Sequence, residues 1–430
     1  MKRTAGIVFI WLIVLVVAIT TSQPLYDQIA YVVSLTIVIS YLWAKISAGS
    51  VEFTRHAPSR RSQVGRYLEE QFTVRNTSLL PKLWLEVRDL SELPGHRPSR
   101  VLTSLGPRRK RGWTVRTLCN HRGRFRLGPV ELTSGDAFGL FRNTRKMEVV
   151  GSVVVYPYAV DLPTFLPPGG ELPGGDALRR KTHHITTNVS GVRDYEPGDS
   201  FNRIHWKSTA RTGRLIVKEF ELDPLADVWL FPDLQSSVQV GVPPESLDEQ
   251  AQPALLPVLL QKEKGRIIEP TTEEYVVAVT ASLAKHFLAR SRAVGLAAQS
   301  VHREFLQPDR GDRQLTKIAE TLAVVRARGQ SPLSQVLASE GMGLPRGSSV
   351  VVVTPSTDLR WVQVLNHLRR RGLRASAVHV VGSSFGEAPD SETVLAELAM
   401  HQIPTYVVRN GEPLEEALSA DHAVLARRAG

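Results

Sequence analysis

Two apolar runs dominate the first fifty residues of the chain. The run from Thr4 to Thr21 carries no charged residue, and neither does the run from Gln28 to Ala44. Each run is close to the ~20 residues that a helix needs to cross a bilayer. Only a short polar turn containing Asp27 separates them. The pattern predicts a transmembrane helical hairpin over residues 1–48.

The charges that flank these runs predict their orientation. Lys2 and Arg3 precede the first run, Lys45 follows the second, and the connecting turn has no basic residue. Because basic residues stay on the cytoplasmic side, we expect a multi-pass protein of the cell membrane with the bulk of the chain in the cytoplasm. A cleaved signal peptide with Ala18-x-Thr20 as a poor cleavage site is the alternative, but it leaves the second run unexplained.

Residues 49–160 change to short segments of β propensity separated by turn residues. Asn76-Thr77-Ser78, Pro94-Gly95 and Gly106-Pro107 are among the turns. Several short strands punctuated in this way predict a small β-sandwich-like module. The predicted strands are 67–74, 83–87, 113–118, 125–127 and 151–156.

From residue 225 to residue 430 the pattern alternates between strands and helices. Thr271-Thr272-Glu273-Glu274 places hydroxyls before acids, which is typical of a helix start. Ser349 to Thr354 is a nearly continuous β-branched run, as in parallel strands covered on both faces. Further helices are predicted over 314–326, 359–371, 391–400 and 414–418, and further strands over 226–233, 293–298, 375–381 and 405–408. The alternation predicts a doubly wound α/β domain, and the fold class is therefore α/β plus all-β.

The stretch between these two parts, residues 161–224, begins with a linker rich in proline and glycine. A polar stretch from Gly191 to Glu219 follows. Pro197-Gly198-Asp199 has turn chemistry, because proline presets φ and glycine tolerates positive φ. Short strands are predicted on both sides of this turn.

The polar stretch also carries a long motif. Its residues are Gly191, Arg193, Tyr195, Pro197-Gly198-Asp199, Arg203, Ile204, Trp206, Ser208, Ala210-Arg211 and Leu215. In this order they resemble the signature of the domain-of-unknown-function 58 family. The resemblance implies a membrane-anchored protein whose residues 225–430 form a von Willebrand factor A-like domain, with a MoxR-type AAA+ ATPase as partner. It implies no reaction. The binding or structural signature residues are Arg193, Tyr195, Gly198, Asp199, Arg203, His205, Trp206 and Arg211.

The resemblance also implies a candidate metal site. In von Willebrand factor A-like domains the first strand ends in Asp-x-Ser-x-Ser, whose oxygens suit Mg²⁺. Here the stretch is Asp233-Leu234-Gln235-Ser236-Ser237, so Asp233 and Ser237 match and Gln235 replaces the first serine. Thr354-Pro355-Ser356-Thr357-Asp358 follows the valines 350–353, where the family pattern often has Ser/Thr-Asp. Mg²⁺ is the candidate cofactor, and a loop aspartate satisfied by hydrogen bonds is the alternative.

The signature stretch has two interpretations. Asp194, Asp199, His205 and the pair His183-His184 include acids, bases and potential ligands. Their spacing matches no metal template. We favour a structural clasp between the β-rich module and the α/β domain, in which charged residues neutralise one another in an ion-pair network above Tyr195 and Trp206.

Composition narrows the class of partner. The formal charge is +11, and the run from Arg97 to Arg126 has nine arginines, one lysine and no acid. Such a run suits a surface close to anionic lipid or a solvated face, and no nucleic-acid motif accompanies it, so no nucleic-acid partner is expected. The single cysteine, Cys119, excludes an intramolecular disulfide and is expected to be packed.

Two functions follow from these observations. The first is a non-enzymatic, membrane-anchored cytoplasmic interaction protein, or scaffold, that docks a MoxR-type AAA+ ATPase in complex assembly or in envelope and stress functions. Membrane lipids would contact the two helices and the basic surface. The alternative is a metal-assisted hydrolase that uses Asp233 and the Asp199/His205 stretch. The sequence has no phosphate-binding loop, so the chain itself is not expected to be an ATPase.

Overall fold

The computed structural model of the chain describes residues 2–21, 24–165, 189–195, 204–220, 227–241 and 268–419. Its contacts divide the chain into two compact units. The first contains residues 1–158, 266–269 and 322–324, and the second contains residues 159–265, 270–321 and 325–430. Helices and several sheets are present, which confirms the mixed α and β class.

The helices and strands are numbered in chain order. The helices are α1 (Lys2–Thr20), α2 (Pro24–Gly49), α3 (Trp206–Thr212), α4 (Thr272–Ala289), α5 (Gly311–Val324), α6 (Leu333–Gly341), α7 (Leu359–Arg370), α8 (Glu392–Met400) and α9 (Leu414–Ala417). The first ten strands are β1 (Val51–His56), β2 (Arg61–Gln63), β3 (Tyr67–Asn76), β4 (Lys82–Asp89), β5 (Arg100–Leu105), β6 (Lys110–Leu118), β7 (Gly123–Leu127), β8 (Val130–Gly135), β9 (Arg142–Met147) and β10 (Gly151–Tyr156). The others are β11 (Val189–Asp194), β12 (Ile216–Phe220), β13 (Val228–Pro232), β14 (Val294–Gln299), β15 (Arg303–Asp309), β16 (Ser349–Thr354), β17 (Arg374–Val380) and β18 (Thr405–Val408).

The two N-terminal helices differ in their suitability for a membrane. Among the described residues, one helix is long and apolar enough to cross a bilayer, and it is the Pro24–Ser47 part of α2. The apolar part of α1, Phe9–Thr20, is shorter. Trp11 of α1 donates a hydrogen bond from Nε1 to Ser34 Oγ of α2 over 2.8 Å. The length and composition of α2 support one membrane anchor. The prediction of a multi-pass protein is not supported.

Strands β1–β10 of the first unit form three sheets, which we call the β module. Their strand orders are β1-β3-β6, β2-β10-β7 and β5-β4-β8-β9. Residues alternate between buried and exposed along β3, so that Leu68, Phe72 and Val74 reach the interior. Leu85 and Leu132 join Phe72 and Val74 in one buried cluster. Strands β1, β2, β5, β8 and β9, each of three to six residues, were not predicted.

The second unit contains a hairpin with a short helix. Strands β11 and β12 pair in antiparallel fashion, with Asp194 opposite Ile216. His205 caps α3, since its Nδ1 accepts a hydrogen bond from the Ser208 backbone N–H over 3.2 Å. Gly213 ends the helix in the left-handed conformation at φ 70°, which glycine adopts without strain. The predicted strands on both sides of the turn are confirmed, whereas α3 was not predicted.

A six-stranded sheet is the centre of the second unit. Its order is β15-β14-β13-β16-β17-β18, with every pair parallel except the antiparallel pair of β14 and β15. Two neighbouring strands, β13 and β16, lie where the strand order reverses, which is the crevice that ligands occupy in doubly wound sheets. The β-branched strand β16 is fully buried, as predicted. Thr271 caps α4 by accepting from the Glu274 N–H over 3.2 Å, which confirms the predicted helix start.

Candidate functional site

The candidate site lies at the carboxyl ends of β13 and β16. The parallel register pairs Pro232 with Val353, so the next residues along each strand, Asp233 and Thr354, are side by side. The Thr354 hydroxyl donates to Asp233 Oδ2 over 2.6 Å, and the Gln235 backbone N–H donates to Oδ1 over 3.1 Å. Both carboxylate oxygens of Asp233 therefore accept hydrogen bonds from protein donors.

The loop after Asp233 is fastened to the helix that follows it. Gln239 donates from Nε2 to the Asp233 carbonyl over 3.0 Å, and its Oε1 accepts from the Thr272 hydroxyl over 2.8 Å. Gly329 lies beside the same loop, where its N–H donates to Leu234 O. A Cβ at residue 329 would lie 2.4 Å from the Gln299 carbonyl oxygen, so this close backbone approach requires glycine. The loop is held by the backbone and by neutral side chains.

Burial dominates the electrostatics of Asp233. It raises the pKa of this carboxyl to about 6, against the lowering effect of the Thr354 hydroxyl and the Gln235 N–H. The second acid of the pattern, Asp358, caps α7 by accepting from the Arg360 N–H over 3.0 Å. The Arg360 guanidinium, hydrogen-bonded to Asp358, lowers the pKa of that carboxyl. Asp233 thus has neutral partners, whereas Asp358 has a cationic one.

The residues predicted to hold a hard divalent cation are hydrogen-bonded within the protein. Mg²⁺ prefers oxygen ligands in octahedral geometry, and each Asp233 oxygen accepts one hydrogen bond. Gln235 directs its Nε2 toward Ser237 Oγ, 2.6 Å away, and donates to it. Among the described residues there is no group of three or more histidine, cysteine or acidic side chains placed to hold a metal. The metal site at Asp233 and Ser237 stays a prediction from the sequence.

A buried histidine, missed by the sequence reasoning, lies on the neighbouring strand. His379 of β17 pairs in register with Thr354, and its Nε2 lies 2.8 Å from Ser391 Oγ. Burial lowers the pKa of His379 to about 4, so the imidazole is neutral at physiological pH. The sequence feature that could have revealed His379 is its position within the predicted apolar strand 375–381.

The signature residues are described in part. Gly198, Asp199 and Arg203 lie outside the described residues, as do His183 and His184. Arg193 is in β11, although its side chain is not described. Tyr195 is half-buried and its N–H donates to Leu215 O over 2.9 Å, while His205 is used as the cap of α3. The ion-pair network of this stretch therefore stays a prediction.

Two signature side chains point to solvent rather than to a core. Trp206 is 65% exposed, and Arg211 on the same short helix is also exposed. The expectation that Trp206 fills the space beneath an ion-pair network is therefore wrong. Helix α3 has no buried residue, and its Thr209 hydroxyl accepts a hydrogen bond from the Ile216 N–H of β12 over 3.0 Å.

A second polar cluster is found only in the structure. Arg55 contacts Glu70 through two hydrogen bonds, Nε to Oε1 at 2.9 Å and Nη2 to Oε2 at 2.8 Å. His96 Nε2 lies 2.9 Å from Glu70 Oε2 and 3.4 Å from Asp89 Oδ2, while its Nδ1 lies 2.7 Å from Thr117 Oγ1. All four charged side chains of this cluster are at most 5% exposed. The sequence feature that could have revealed this cluster is Glu70, an acid at a position that the alternation of β3 places in the interior.

Comparisons with known proteins agree with the motif. Residues 191–267 match the family described as "Protein of unknown function DUF58". The "Uncharacterized protein YeaD" of Bacillus subtilis (strain 168) is 25% identical over 293 residues, which cover 67% of this chain and 64% of the relative. These matches support membership of the DUF58 family. The DUF58 match begins in β11 and includes α3 and Asp233. The chain spans less than two thirds of the length of YeaD.

Similar solved structures add little to the DUF58 assignment. The CARDB domain of a Pyrococcus furiosus protein, in complex with di-metal ions, covers 24% of this chain and 91% of its own length at 16% identity and a TM-score of 0.19. The alkylpurine DNA glycosylase AlkC of Pseudomonas fluorescens covers 26% of this chain and 33% of its own at 16% identity and a TM-score of 0.18. Scores this low say nothing about the fold or function of this chain.

Proposed function

We propose that this chain is a membrane-anchored cytoplasmic interaction protein, without enzymatic activity, that docks a MoxR-type AAA+ ATPase. The docking serves complex assembly or envelope and stress functions. The partner comes from the resemblance to the DUF58 family. The anchor is α2, together with α1 as the second helix of an N-terminal hairpin.

The architecture of the proposal rests on two observations. The order β15-β14-β13-β16-β17-β18, with one antiparallel edge strand and an aspartate directly after β13, supports a von Willebrand factor A-like domain. In the β module, β1 and β3 of one sheet and β4, β5 and β8 of another contribute to one buried cluster, which supports a β-sandwich.

The exposed Trp206 carries the docking proposal. Tryptophan is enriched at the few positions that dominate binding energy in protein interfaces, and burial of such a large apolar side chain requires a partner. Lys207 and Arg211 of the same helix, and Arg214 just after it, are also exposed. The combination of an exposed tryptophan and basic residues suits a partner surface with an apolar pocket and an acidic rim.

The hydrolase alternative has less support. Asp233 is buried and both of its oxygens accept hydrogen bonds, so neither is presented to a substrate. His205 Nδ1 is used by Ser208 at the start of α3. A general base has to reach the proton that it removes, and these two side chains are used in local structure.

A binding measurement tests the proposal. The full chain in lipid nanodiscs is combined with the MoxR-type ATPase of the same organism, with ATP or ADP present. Trp206→Ala is expected to weaken binding about 30-fold, as for a residue worth about 2 kcal/mol at an interface. Met400→Ala is the control, because Met400 in the same unit is 67% exposed and lies outside the signature. Equal affinities of the native chain and Trp206→Ala would contradict the proposal.

A further inference from the structure

One end of the β module brings together three loops beside the C-terminal end of α2. These loops are residues 77–81, 106–109 and 136–141. Val51, two residues after the end of α2 in the chain, pairs with Asn76 at the end of β3. The Asn76 side-chain amide donates to the carbonyls of Leu80, Leu105 and Gly106, which joins the first two loops. The third loop follows β8, whose Ser134 Oγ lies 3.0 Å from Ser47 Oγ of α2.

The third loop extends along α2 toward its N-terminus. The Phe141 ring contacts the Tyr41 ring edge-to-face, with 5.7 Å between centroids. Tyr41 is six residues before Ser47, the last residue of the apolar part of α2, and is therefore about 9 Å from it along the helix axis. Tyrosine at this depth is typical of the aromatic belt at a membrane–water interface. If α2 crosses a bilayer, Phe141 lies at the level of that belt.

The same loops expose large apolar side chains. Leu79 is 71% exposed and Phe138 is 70% exposed, although both belong to short, ordered turns. Asp136 fixes the turn of Phe138, because its two carboxylate oxygens accept from the N–H groups of Phe138 and Phe141 over 2.9 and 2.7 Å. The turn therefore presents Phe138 outward from a fixed backbone. Apolar side chains clustered at one exposed end of a module mark an interaction surface.

Basic residues accompany these apolar side chains. Arg108 and Arg109, in the second loop, are both exposed. They belong to the run from Arg97 to Arg126, which has no acidic residue. Apolar side chains next to arginines match the boundary between acyl chains and anionic headgroups, where buried apolar area and charge attraction act together.

We infer that Leu79, Arg108, Arg109 and Phe138 form a membrane-proximal rim that inserts into the headgroup and acyl boundary of the bilayer crossed by α2. This inference rests on the membrane anchoring in the proposed function. The apolar members enter the outer acyl region, and the arginines contact lipid phosphates. The rim fixes the β module against the bilayer instead of leaving it to move about a single helix.

Spin labels on the full chain test the rim. Cysteines are introduced as Phe138→Cys and Leu79→Cys in a Cys119→Ala background, and the chain is reconstituted into phosphatidylcholine–phosphatidylglycerol vesicles. The ratio of oxygen to nickel-complex accessibility is then measured by paramagnetic resonance. We expect a ratio several-fold higher at residues 79 and 138 than at residue 101. Val101→Cys is the matched control, since Val101 is 57% exposed and lies toward the opposite end of the same module.

A label at Val38→Cys, in the middle of α2, separates the possible failures. A bilayer depth at residue 38 with aqueous values at 79 and 138 overturns the rim and leaves the anchor intact. An aqueous value at residue 38 overturns the anchor and the rim together. Dipolar broadening between labels at residue 138 assigns the surface to a second copy of the chain and also overturns the rim. If the Cys119→Ala background fails to fold, Cys119 is kept, because its buried thiol is out of reach of the label.

Discussion

Glu70 in the β module and Asp233 after β13 are both buried carboxyl groups, yet their pKa values move in opposite directions. Burial raises the pKa of Glu70, but hydrogen bonds from His96 and Arg55 outweigh it, and the pKa falls to about 2. Burial raises the pKa of Asp233 to about 6, because its partners are a hydroxyl and a backbone N–H. The comparison shows that the charge of the donor, more than burial itself, decides whether an interior carboxyl stays ionised.

The two regions also differ in what the charge does for them. Arg55, Glu70, Asp89 and His96 form a closed ionic cluster, so each charge depends on the others. Burial lowers the pKa of His96, but hydrogen bonds with Asp89 and Glu70 raise it beyond its ordinary value, so the cluster favours the imidazolium. Asp233 holds a loop through hydrogen bonds that a neutral side chain can largely reproduce. The β module is therefore expected to be sensitive to the loss of one charge, and the Asp233 loop is not.

The largest expected effect is the loss of Glu70. Glu70→Ala leaves Arg55 buried without its bidentate partner, which costs about 3–5 kcal/mol in comparable buried pairs. Scanning calorimetry of the full chain in detergent should show a lower melting temperature for the β module. Glu69→Ala is the matched control, because Glu69 pairs with Arg116 at the surface, where such pairs contribute about 1 kcal/mol or less. Equal shifts for the two variants would break the comparison.

The next effect is a pair of opposite pH dependences. The pKa of Glu70 is lowered on folding from 4.5 to about 2, so its contribution to stability is present above pH 4.5 and is lost as the pH falls toward 2. The pKa of Asp233 is raised from 3.8 to about 6, so its contribution grows as the pH falls through that window. The free energy of unfolding of the native chain, measured relative to Glu70→Gln, should fall at acid pH. Measured relative to Asp233→Asn, it should rise at acid pH.

Unfolding in urea between pH 7 and pH 3 measures how each of these two differences in the free energy of unfolding changes with pH. At pH 7, Asp233→Asn should change the free energy of unfolding by only about 1 kcal/mol, the net value of one hydrogen bond. A large loss of stability in Asp233→Asn at pH 7, or slopes of the same sign, would mean that Asp233 has a cationic partner after all.

The smallest effect concerns metal. Titration of the full chain with Mg²⁺ at millimolar concentration should release no heat beyond dilution, because Asp233 is buried and Gln235 turns its amide nitrogen, not its oxygen, toward Ser237. Asp233→Asn is the control and should give the same trace. A saturable heat that this substitution abolishes would support the metal site predicted from Asp233 and Ser237.

The sequence by itself determined the elements whose signals are local. Hydroxyls followed by acids predicted the start of α4, and a run of β-branched residues predicted β16 within its observed bounds. Both depend on neighbours within a few residues along the chain, because helical and strand periodicities are properties of the local backbone. The polar strand β15 and the short helix α3 lack such a signal, and both were missed.

Tertiary structure alone decided which polar groups meet. Asp233 and Thr354 are 121 residues apart and come together because β13 and β16 are neighbours in one sheet. Glu70 and His96 meet because the β module folds their segments onto one interior. Strand order depends on how whole faces are buried against each other, and a sequence pattern indicates only that a face is apolar. The sequence could therefore place Asp233 at a strand end, but only the sheet supplied the hydroxyl and N–H that hold its carboxylate.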